Sequence, residues 1–239
     1  MMAGKKNKFD IIFANGCSYV QGSALNGKKL PSEPVENVKN RFSELVSKKA
    51  KAKEVNIAAG GAGNDKIFRT TFEYFEENKE ELQGKNILVC LGITFCVRKE
   101  MFLNSTQNYT KTNFYGPYHI SGDLFKESRF FSVNEGKQFQ KLYFQEFFNE
   151  KEHARSSYRG LRCLIDYLNN NFNVTIYTFN SLDKHLPDYY KEGLDIDDKY
   201  EPTWSIWINN NNLTLSDCNH PLEDAHKEMA DYIISKYNI

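Results

Sequence analysis

Residues 9–22 read FDIIFANGCSYVQG, and this stretch predicts both a buried strand and a candidate functional turn. Its first part, Phe9–Ala14, is a short apolar run that is typical of a buried strand in a parallel sheet. Gly16 then allows a sharp turn where the strand ends, and Gly22 allows close packing as the chain leaves the sheet. Between the two glycines, Ser18 lies at the carboxyl edge of the sheet, where open α/β folds bind ligands. The stretch predicts a serine placed for chemistry or, as the alternative, a serine that only caps a helix.

Strands and helices alternate along most of the remaining chain. Apolar runs predict strands at Glu54–Ala58, Asn86–Leu91 and Val174–Phe179, and Trp204–Ile208 is interpreted as a fifth strand or an aromatic packing segment. Amphipathic patterns predict helices at about 35–51, 66–83, 152–170 and 222–237. This alternation predicts an α/β fold with a doubly wound parallel sheet in flavodoxin-like strand order.

Length and composition bound the class of protein. With 239 residues and neither a repeat nor a linker, the chain fits one α/β domain that spans residues 1–239. Its 31 basic and 31 acidic side chains leave no net charge, which argues against nucleic acid or an anionic membrane as a partner. The longest apolar stretch, Ile87–Val97, is too short to span a bilayer, and no signal-peptide core follows the N-terminus.

The cysteines and the overall residue usage add an expectation about location and source. The 5 cysteines form no CxxC pair, which predicts reduced thiols in a cytoplasmic protein. The abundance of Lys, Asn, Ile, Phe and Tyr indicates an AT-rich genome, bacterial or viral, and says nothing about chemistry.

The regular alternation stops in a segment at about 97–150, which is dense in aromatic side chains. The segment ends in aromatic residues at near-helical spacing, namely Phe139, Tyr143, Phe144, Phe147 and Phe148. Two interpretations stay open: an insertion with a small core of its own, or a lid whose aromatic faces form a wall of the substrate site. Its nearly balanced charges argue against a stacking platform for nucleic acid.

A second candidate for chemistry is the sequence DCNHP at 217–221, just before the last predicted helix. Asp217 and His220 lie three residues apart on a loop, so the carboxylate can accept a hydrogen bond from one imidazole nitrogen. The other nitrogen can then take a proton from a serine hydroxyl. Pro221 fits the first position of the helix. Together with Ser18 this pattern predicts a hydrolytic triad, and a capping and turn motif is the alternative.

Other motifs fit their alternative assignments less well. Gly60–Gly63 matches a dinucleotide-binding loop only in part, and Cys17 as nucleophile would need its side chain in the same cleft as the serine. No histidines have metal-ligand spacing, so no metal and no cofactor is expected, and His226 is expected at the surface. Arg98 and Glu100 are expected to form an ion pair that braces the loop after the third strand, with a contact to substrate as the alternative.

Four short blocks, in order and at plausible spacing, resemble the signature blocks of the SGNH (GDSL-type) hydrolases. They are GCSxxxG at 16–22, NxxxxG at 56–61, LGIT at 91–94 and DxxHP at 217–221. The resemblance covers nearly the whole chain. It implies a three-layer α/β/α sandwich around a parallel sheet of about five strands. It also implies hydrolysis of ester bonds.

The resemblance assigns a role to each matching residue. Ser18 is expected to be the nucleophile, His220 the general base and acid, and Asp217 the partner that orients the imidazole. The backbone N–H groups of Ser18 and Gly61 are expected to bind the oxyanion of the tetrahedral intermediate.

Two positions depart from the family pattern. Thr94 stands where the family has an asparagine that donates to the oxyanion, so a hydroxyl of shorter reach would take its place. Asn64 is the nearest alternative donor, although Asn64 or Asp65 is also predicted to cap the next helix. Cys17 replaces the familiar Asp before the serine.

The sequence therefore predicts a serine esterase that removes an acyl group, for example acetyl, from a carbohydrate or another small ester. The rival class is a catalytically weak or inactive module of the same fold that binds a glycan or a protein partner. The Thr94 departure favours the rival, whereas the intact Ser18, Asp217 and His220 favour the enzyme.

Overall fold

The structure is a computed structural model of the chain. It describes residues 7–25, 38–94, 141–147, 149–180, 203–217 and 219–239, with the shorter pieces 98, 100, 102–103, 108–109, 138, 196–197 and 199. The helices within these residues are α1 (Ser18–Gln21), α2 (Phe42–Ala50), α3 (Asn64–Glu77), α4 (Lys79–Leu82), α5 (Glu150–Asn171), α6 (Trp204–Asn210) and α7 (Glu223–Lys236). The strands are β1 (Ile11–Asn15), β2 (Lys53–Asn56), β3 (Asn86–Ile93), β4 (Phe102–Leu103), β5 (Asn108–Tyr109), β6 (Asn173–Asn180) and β7 (Ile196–Asp197).

A parallel sheet forms the centre of the fold. Its strand order is β2-β1-β3-β6-β7, which is the order of flavodoxin-like sheets when the strands are counted along the chain. The last member, β7, contributes only two residues, which pair with Thr178 and Phe179. The predicted doubly wound α/β fold is confirmed, but four full strands build the sheet where about five were expected.

Helices cover both faces of the sheet, because each central strand is apolar on both sides. In β1, Ile12 and Ala14 belong to the core under α2, α6 and α7, whereas Ile11 and Phe13 belong to the core under α3 and α5. β3 repeats this alternation along its eight residues. The two cores account for the continuous apolar runs in the sequence and give the predicted three layers.

The segment Trp204–Ile208 belongs to a helix, so its interpretation as a fifth strand is wrong. Thr203 caps α6, since its hydroxyl accepts a hydrogen bond from the amide of Ile206 at 3.1 Å. Trp204 and Ile208 are both fully buried, and their separation of four residues places them on one helical face. The local apolar pattern fits the period of a strand as well as that of a helix, and packing against the sheet selects the helix.

The aromatic-rich insertion lies mostly outside the described residues. Its described end contains a π-helical turn, Tyr143–Phe147, after which Asn149 caps α5 by accepting from the amide of Glu152. The arrangement of residues 1–239 as one domain with an insertion stays a prediction. Among the described helices, none has the length and apolar character needed to cross a membrane.

Candidate active site

The serine turn follows β1 directly. α1 begins at Ser18, and the N-cap position belongs to Cys17, with no side chain capping the helix. The simple capping role for Ser18 is therefore not what the structure has. Cys17 is fully buried in the core beneath the turn, whereas Ser18 is half-buried. As the first residue of a helix, Ser18 has an amide with no carbonyl of a preceding turn to accept its hydrogen.

Two buried asparagines hold this turn in place. Asn15 ends β1 and donates through Nδ2 to the carbonyl of Ile67 at 2.9 Å, while its Oδ1 accepts from the amide of Gly16 at 2.8 Å. Asn56 ends β2 and donates to the carbonyl of Val20 at 3.0 Å. Asn15 thus joins the start of the serine turn to α3, and Asn56 joins the serine helix α1 to β2. In the sequence, each of these asparagines stands at the end of an apolar run. Residue propensity alone assigns such an asparagine to a turn and does not predict its tertiary partners.

The two glycines of the serine turn are needed for close packing, and one of them also for its backbone conformation. Gly16 has no left-handed backbone, but a Cβ there would lie 2.4 Å from Cγ2 of Val20. A Cβ on Gly92, near the end of β3, would lie 2.4 Å from the same Val20 methyl group. Gly22 has φ +81° and ends α1 in the left-handed conformation. A Cβ on Gly22 would also lie 2.9 Å from Cδ1 of Leu25, so the predicted close packing at Gly22 is confirmed. Gly16 is therefore needed for close packing, and Gly22 for both packing and the turn.

The turn after β2 carries the predicted oxyanion amide. Gly61 has φ +73°, and the amide of Ala62 donates to the carbonyl of Ala59 at 3.1 Å. The amide of Ala59 donates to the carbonyl of Gly16 at 3.1 Å, which joins this turn to the serine turn. The structure thus brings Ser18 and Gly61 to the same sheet edge on two hydrogen-bonded turns.

Asn64 connects this turn to the end of β3. The N-cap of α3 is Gly63, so the prediction that Asn64 or Asp65 caps the helix is wrong. The Asn64 side chain instead accepts from the amide of Thr94 and donates to its carbonyl, both at 2.9 Å. Asn64 therefore pairs with the backbone of Thr94, just after β3, instead of capping its own helix.

Thr94 is fully buried, and its hydroxyl also has a partner. Nη1 of Arg98 donates to Thr94 Oγ1 at 2.9 Å and to the carbonyl of Ala62 at 3.2 Å. The expected ion pair between Arg98 and Glu100 is not formed. Glu100 instead accepts two hydrogen bonds from Arg69, at 2.6 and 2.8 Å, and these raise the pKa of the Arg69 guanidinium.

The histidine loop is a tight turn closed around Ser216. The amide of His220 donates to Ser216 Oγ at 3.0 Å, and the amide of Ser216 donates to the carbonyl of His220 at 2.9 Å. His220 is half-buried and Asp217 is exposed. Among the described residues, no hydrogen bond joins the Asp217 carboxylate to the imidazole. Pro221 lies before the helix rather than at its first position, because α7 begins at Glu223.

Tyr19 joins the histidine loop to the serine helix. Its hydroxyl donates to the carbonyl of Asn219 at 2.5 Å, across 200 residues of sequence. Its ring lies 5.4 Å from the ring of His220, measured between centroids. Because Tyr19 directly follows Ser18 and Asn219 directly precedes His220, these contacts bring the two predicted catalytic segments together. Sequence reasoning did not single out Tyr19.

His226 lies in the core, so its expected surface position is wrong. It is fully buried, its Nδ1 accepts from the amide of Phe42 at 3.2 Å, and its ring stacks on that of Phe42. Burial disfavours the charged imidazole and lowers its pKa from 6.5 to about 3. His226 is thus a neutral packing residue between α7 and α2. Within the described part of the chain, no cluster of His, Cys, Asp and Glu could hold a metal ion.

A cavity of about 250 Å³ lies between α3 and α5. Its walls include Asp65 and Phe68 from α3 and His153 and Ser157 from α5. Arg98 forms a further part of the wall, so the residue that contacts Thr94 and the Gly61 turn also borders this cavity.

No protein-family model matches the sequence, and no curated protein matches it. Solved structures of similar fold include an acetyl xylan esterase from the rumen bacterium Butyrivibrio proteoclasticus, with a TM-score of 0.50 and 14% identity over 95% of this chain and 64% of that one. The psychrotrophic esterase EstA from Pseudoalteromonas sp. has a TM-score of 0.47 and 11% identity over 96% and 97% of the two chains. A member of the lipolytic G-D-S-L family from Veillonella parvula has a TM-score of 0.45 and 10% identity, over 95% of this chain and 96% of that one. The likeness at a TM-score of 0.50 shows that this chain shares the fold of the acetyl xylan esterase, and its parallel sheet agrees with the fold that the four sequence blocks implied.

Proposed function

We propose that this chain is a serine esterase whose catalytic triad is Ser18, His220 and Asp217. The observation that carries the proposal is the contact of Tyr19 with the histidine loop, through the hydrogen bond to Asn219 and the ring contact with His220. The serine helix and the histidine loop come from opposite ends of the chain, and no local sequence pattern predicts that they meet. Their contact supports a site at the carboxyl edge of the sheet, where α/β folds carry their sites.

The proposed reaction proceeds through an acyl-enzyme. Ser18 Oγ attacks the ester carbonyl carbon while His220 takes the hydroxyl proton, and His220 then returns this proton to the oxygen of the leaving alcohol. Water attacks the acyl-enzyme in the same way, with His220 taking its proton and giving it back to Ser18. The acid and the free serine are the products. The chemistry needs no cofactor.

The oxyanion of each tetrahedral intermediate would lie against the turns after β1, β2 and β3. The amides of Ser18 and Gly61 and the hydroxyl of Thr94 are the proposed donors. The hydrogen bond from Ala59 to Gly16 supports this assignment, since it holds the first two turns in one arrangement. Asp217 is the proposed partner of His220, and a hydrogen bond that is absent in the free protein can form when substrate binds.

The proposed substrates are acetyl or other short acyl esters of carbohydrates or small alcohols. The acetyl xylan esterase of similar fold suggests the acetylated sugar as the first substrate to test. A non-catalytic binding module of the same fold is the second candidate. The exposed, unjoined position of Asp217 and the threonine in the third block favour it.

Labelling by a fluorophosphonate probe, together with hydrolysis of a short aryl acetate and of acetylated xylo-oligosaccharides, separates the two candidates. We expect the wild type to react and the Ser18→Ala variant to lose about 10³-fold or more of the hydrolysis rate and all labelling. Ser23→Ala is the matched control, because Ser23 is a second serine of this turn, is buried, and bonds only to Gln21 among the described side chains. A wild type that neither labels nor hydrolyses would leave the binding module as the function.

A further inference from the structure

Arg98 occupies a position between two of the proposed oxyanion-binding segments. The residue is 7% exposed, and one guanidinium nitrogen, Nη1, donates both to Thr94 Oγ1 and to the carbonyl of Ala62. Thr94 directly follows β3, and Ala62 follows Gly61 in the turn after β2. A single buried side chain thus spans the gap between the ends of two strands that are not neighbours in the sheet.

The contact with Arg98 sets the direction of the Thr94 hydroxyl. A guanidinium group carries only donors, so the threonine oxygen must be the acceptor in this pair. The hydroxyl proton therefore stays available for an acceptor elsewhere. Thr94 cannot shift as a whole, since Asn64 holds both its amide and its carbonyl at 2.9 Å. A threonine has a shorter reach than asparagine, which makes its exact rotamer more important for any donation to an oxyanion.

The same guanidinium nitrogen braces the turn that carries Gly61. Its bond goes to the carbonyl of Ala62, the residue that directly follows Gly61 in this turn. The two segments are also packed tightly, because a Cβ on Gly63 would lie 2.6 Å from the carbonyl oxygen of Arg98. A movement of the whole turn away from Arg98 would therefore have to break this contact.

We propose that Arg98 is a positioning residue of the oxyanion site, which orients the Thr94 hydroxyl and the Gly61 amide and brings a positive charge close to the developing oxyanion. This inference rests on the proposed esterase function. It accounts for the threonine in the third block, because the arginine fixes a donor that is shorter than the usual asparagine.

The test compares Arg98→Met with Arg69→Met as the matched control. Arg69 is a partly buried arginine of the same region, and its hydrogen bonds go to Glu73 and Glu100. We expect Arg98→Met to lower kcat and the rate of fluorophosphonate labelling about 10- to 100-fold with KM little changed, since small misplacements of catalytic groups have effects of this size. Arg69→Met should change Tm and leave kcat within about 2-fold of the wild type.

Two further measurements distinguish positioning from a general structural role. The cavity beside Arg98 has room for a small cation, so guanidinium added at concentrations far below those that unfold the protein should restore part of the lost kcat in Arg98→Met or in Arg98→Gly. In a double-mutant cycle, Thr94→Val should cost little more once Arg98→Met is present, because both changes remove the same oriented hydroxyl. Thr94→Val also tests the contact if the Arg98 variants fail to fold.

The outcomes separate this inference from the function on which it rests. A wild type without hydrolysis or Ser18-dependent labelling removes both. An active wild type whose Arg98→Met variant keeps its kcat, or loses it in equal measure with Arg69→Met, overturns the positioning role alone. Additive effects of Thr94→Val and Arg98→Met overturn it as well, because independent losses mean that Arg98 does not act through Thr94.

Discussion

Replacing Tyr19 by phenylalanine tests the contact that joins the serine helix to the histidine loop. The change removes the hydroxyl that donates to the carbonyl of Asn219 and keeps the ring, which is 6% exposed and lies 5.4 Å from the ring of His220. A neutral hydrogen bond contributes about 0.5–1.5 kcal/mol, and water can reach the carbonyl left behind because Asn219 is exposed. We expect the free energy of unfolding to fall by about 1 kcal/mol, which lowers Tm by about 2–4 °C in a chain of this length.

The effect of Tyr19→Phe on catalysis should exceed its effect on stability. Asn219 directly precedes His220, so a released carbonyl lets the imidazole move relative to Ser18. A displacement of about 1 Å can cost about 100-fold in rate, and we expect kcat for an aryl acetate to fall about 10-fold or more with little change in KM.

Tyr167→Phe is the matched control for this experiment. It removes a tyrosine hydroxyl that donates to Glu76 between α5 and α3, away from the serine and histidine segments. Both variants are followed by thermal unfolding and by initial rates of hydrolysis. If Tyr19→Phe lowers Tm as expected and yet keeps the kcat of the Tyr167→Phe control, the contact stabilises the fold without placing His220, and the reasoning is refuted.

Three other features give predictions that stability measurements check. Burial lowers the pKa of His226 from 6.5 to about 3, so the unfolded chain binds this proton first as the pH falls. Wild-type stability should therefore drop below about pH 6 by about 1.4 kcal/mol per pH unit more than that of His226→Gln, and equal slopes in urea unfolding would contradict this. Asn56→Ala removes hydrogen bonds of 3.0, 2.9 and 3.1 Å and should cost about 3 kcal/mol in urea unfolding, whereas a loss under about 1 kcal/mol would mean that they contribute little. Gly92→Ala places a Cβ 2.4 Å from Val20 and should cost about 1–3 kcal/mol, with recovery when Val20→Ala is added; no recovery would argue against that clash as the cause.

Hydrophobic patterning was sufficient to predict most of the sheet. Central parallel strands are buried on both faces, so β1 and β3 appear in the sequence as apolar runs, and β6 as an apolar run interrupted by two threonines. The predicted helix at about 66–83 corresponds to α3 followed by the short α4, and the predicted C-terminal helix to α7. The alternation of these elements leaves few topologies, and the flavodoxin-like order was among them.

Residues whose role depends on distant partners were predicted less well. Trp204 fits a strand or a helix by its local pattern, and burial against the sheet selects the helix. His226 was expected at the surface, but the amide of Phe42 provides a hydrogen bond to it inside the core. Asn64 was expected to cap its own helix and instead pairs with the backbone of Thr94. In each case a long-range contact outweighs a local preference.

The class of fold and the residue types available for chemistry could be predicted from the sequence. Buried strands and closely packed glycines leave local patterns of residue types that can be recognised without the structure. How those residues come together is visible only in the folded chain. Tyr19 donates to the carbonyl of Asn219 across 200 residues of sequence, and Arg98 donates to both Thr94 and Ala62. Such pairings follow from the packing of the whole sheet and its helices, since no local periodicity encodes the distance between loops at different strand ends.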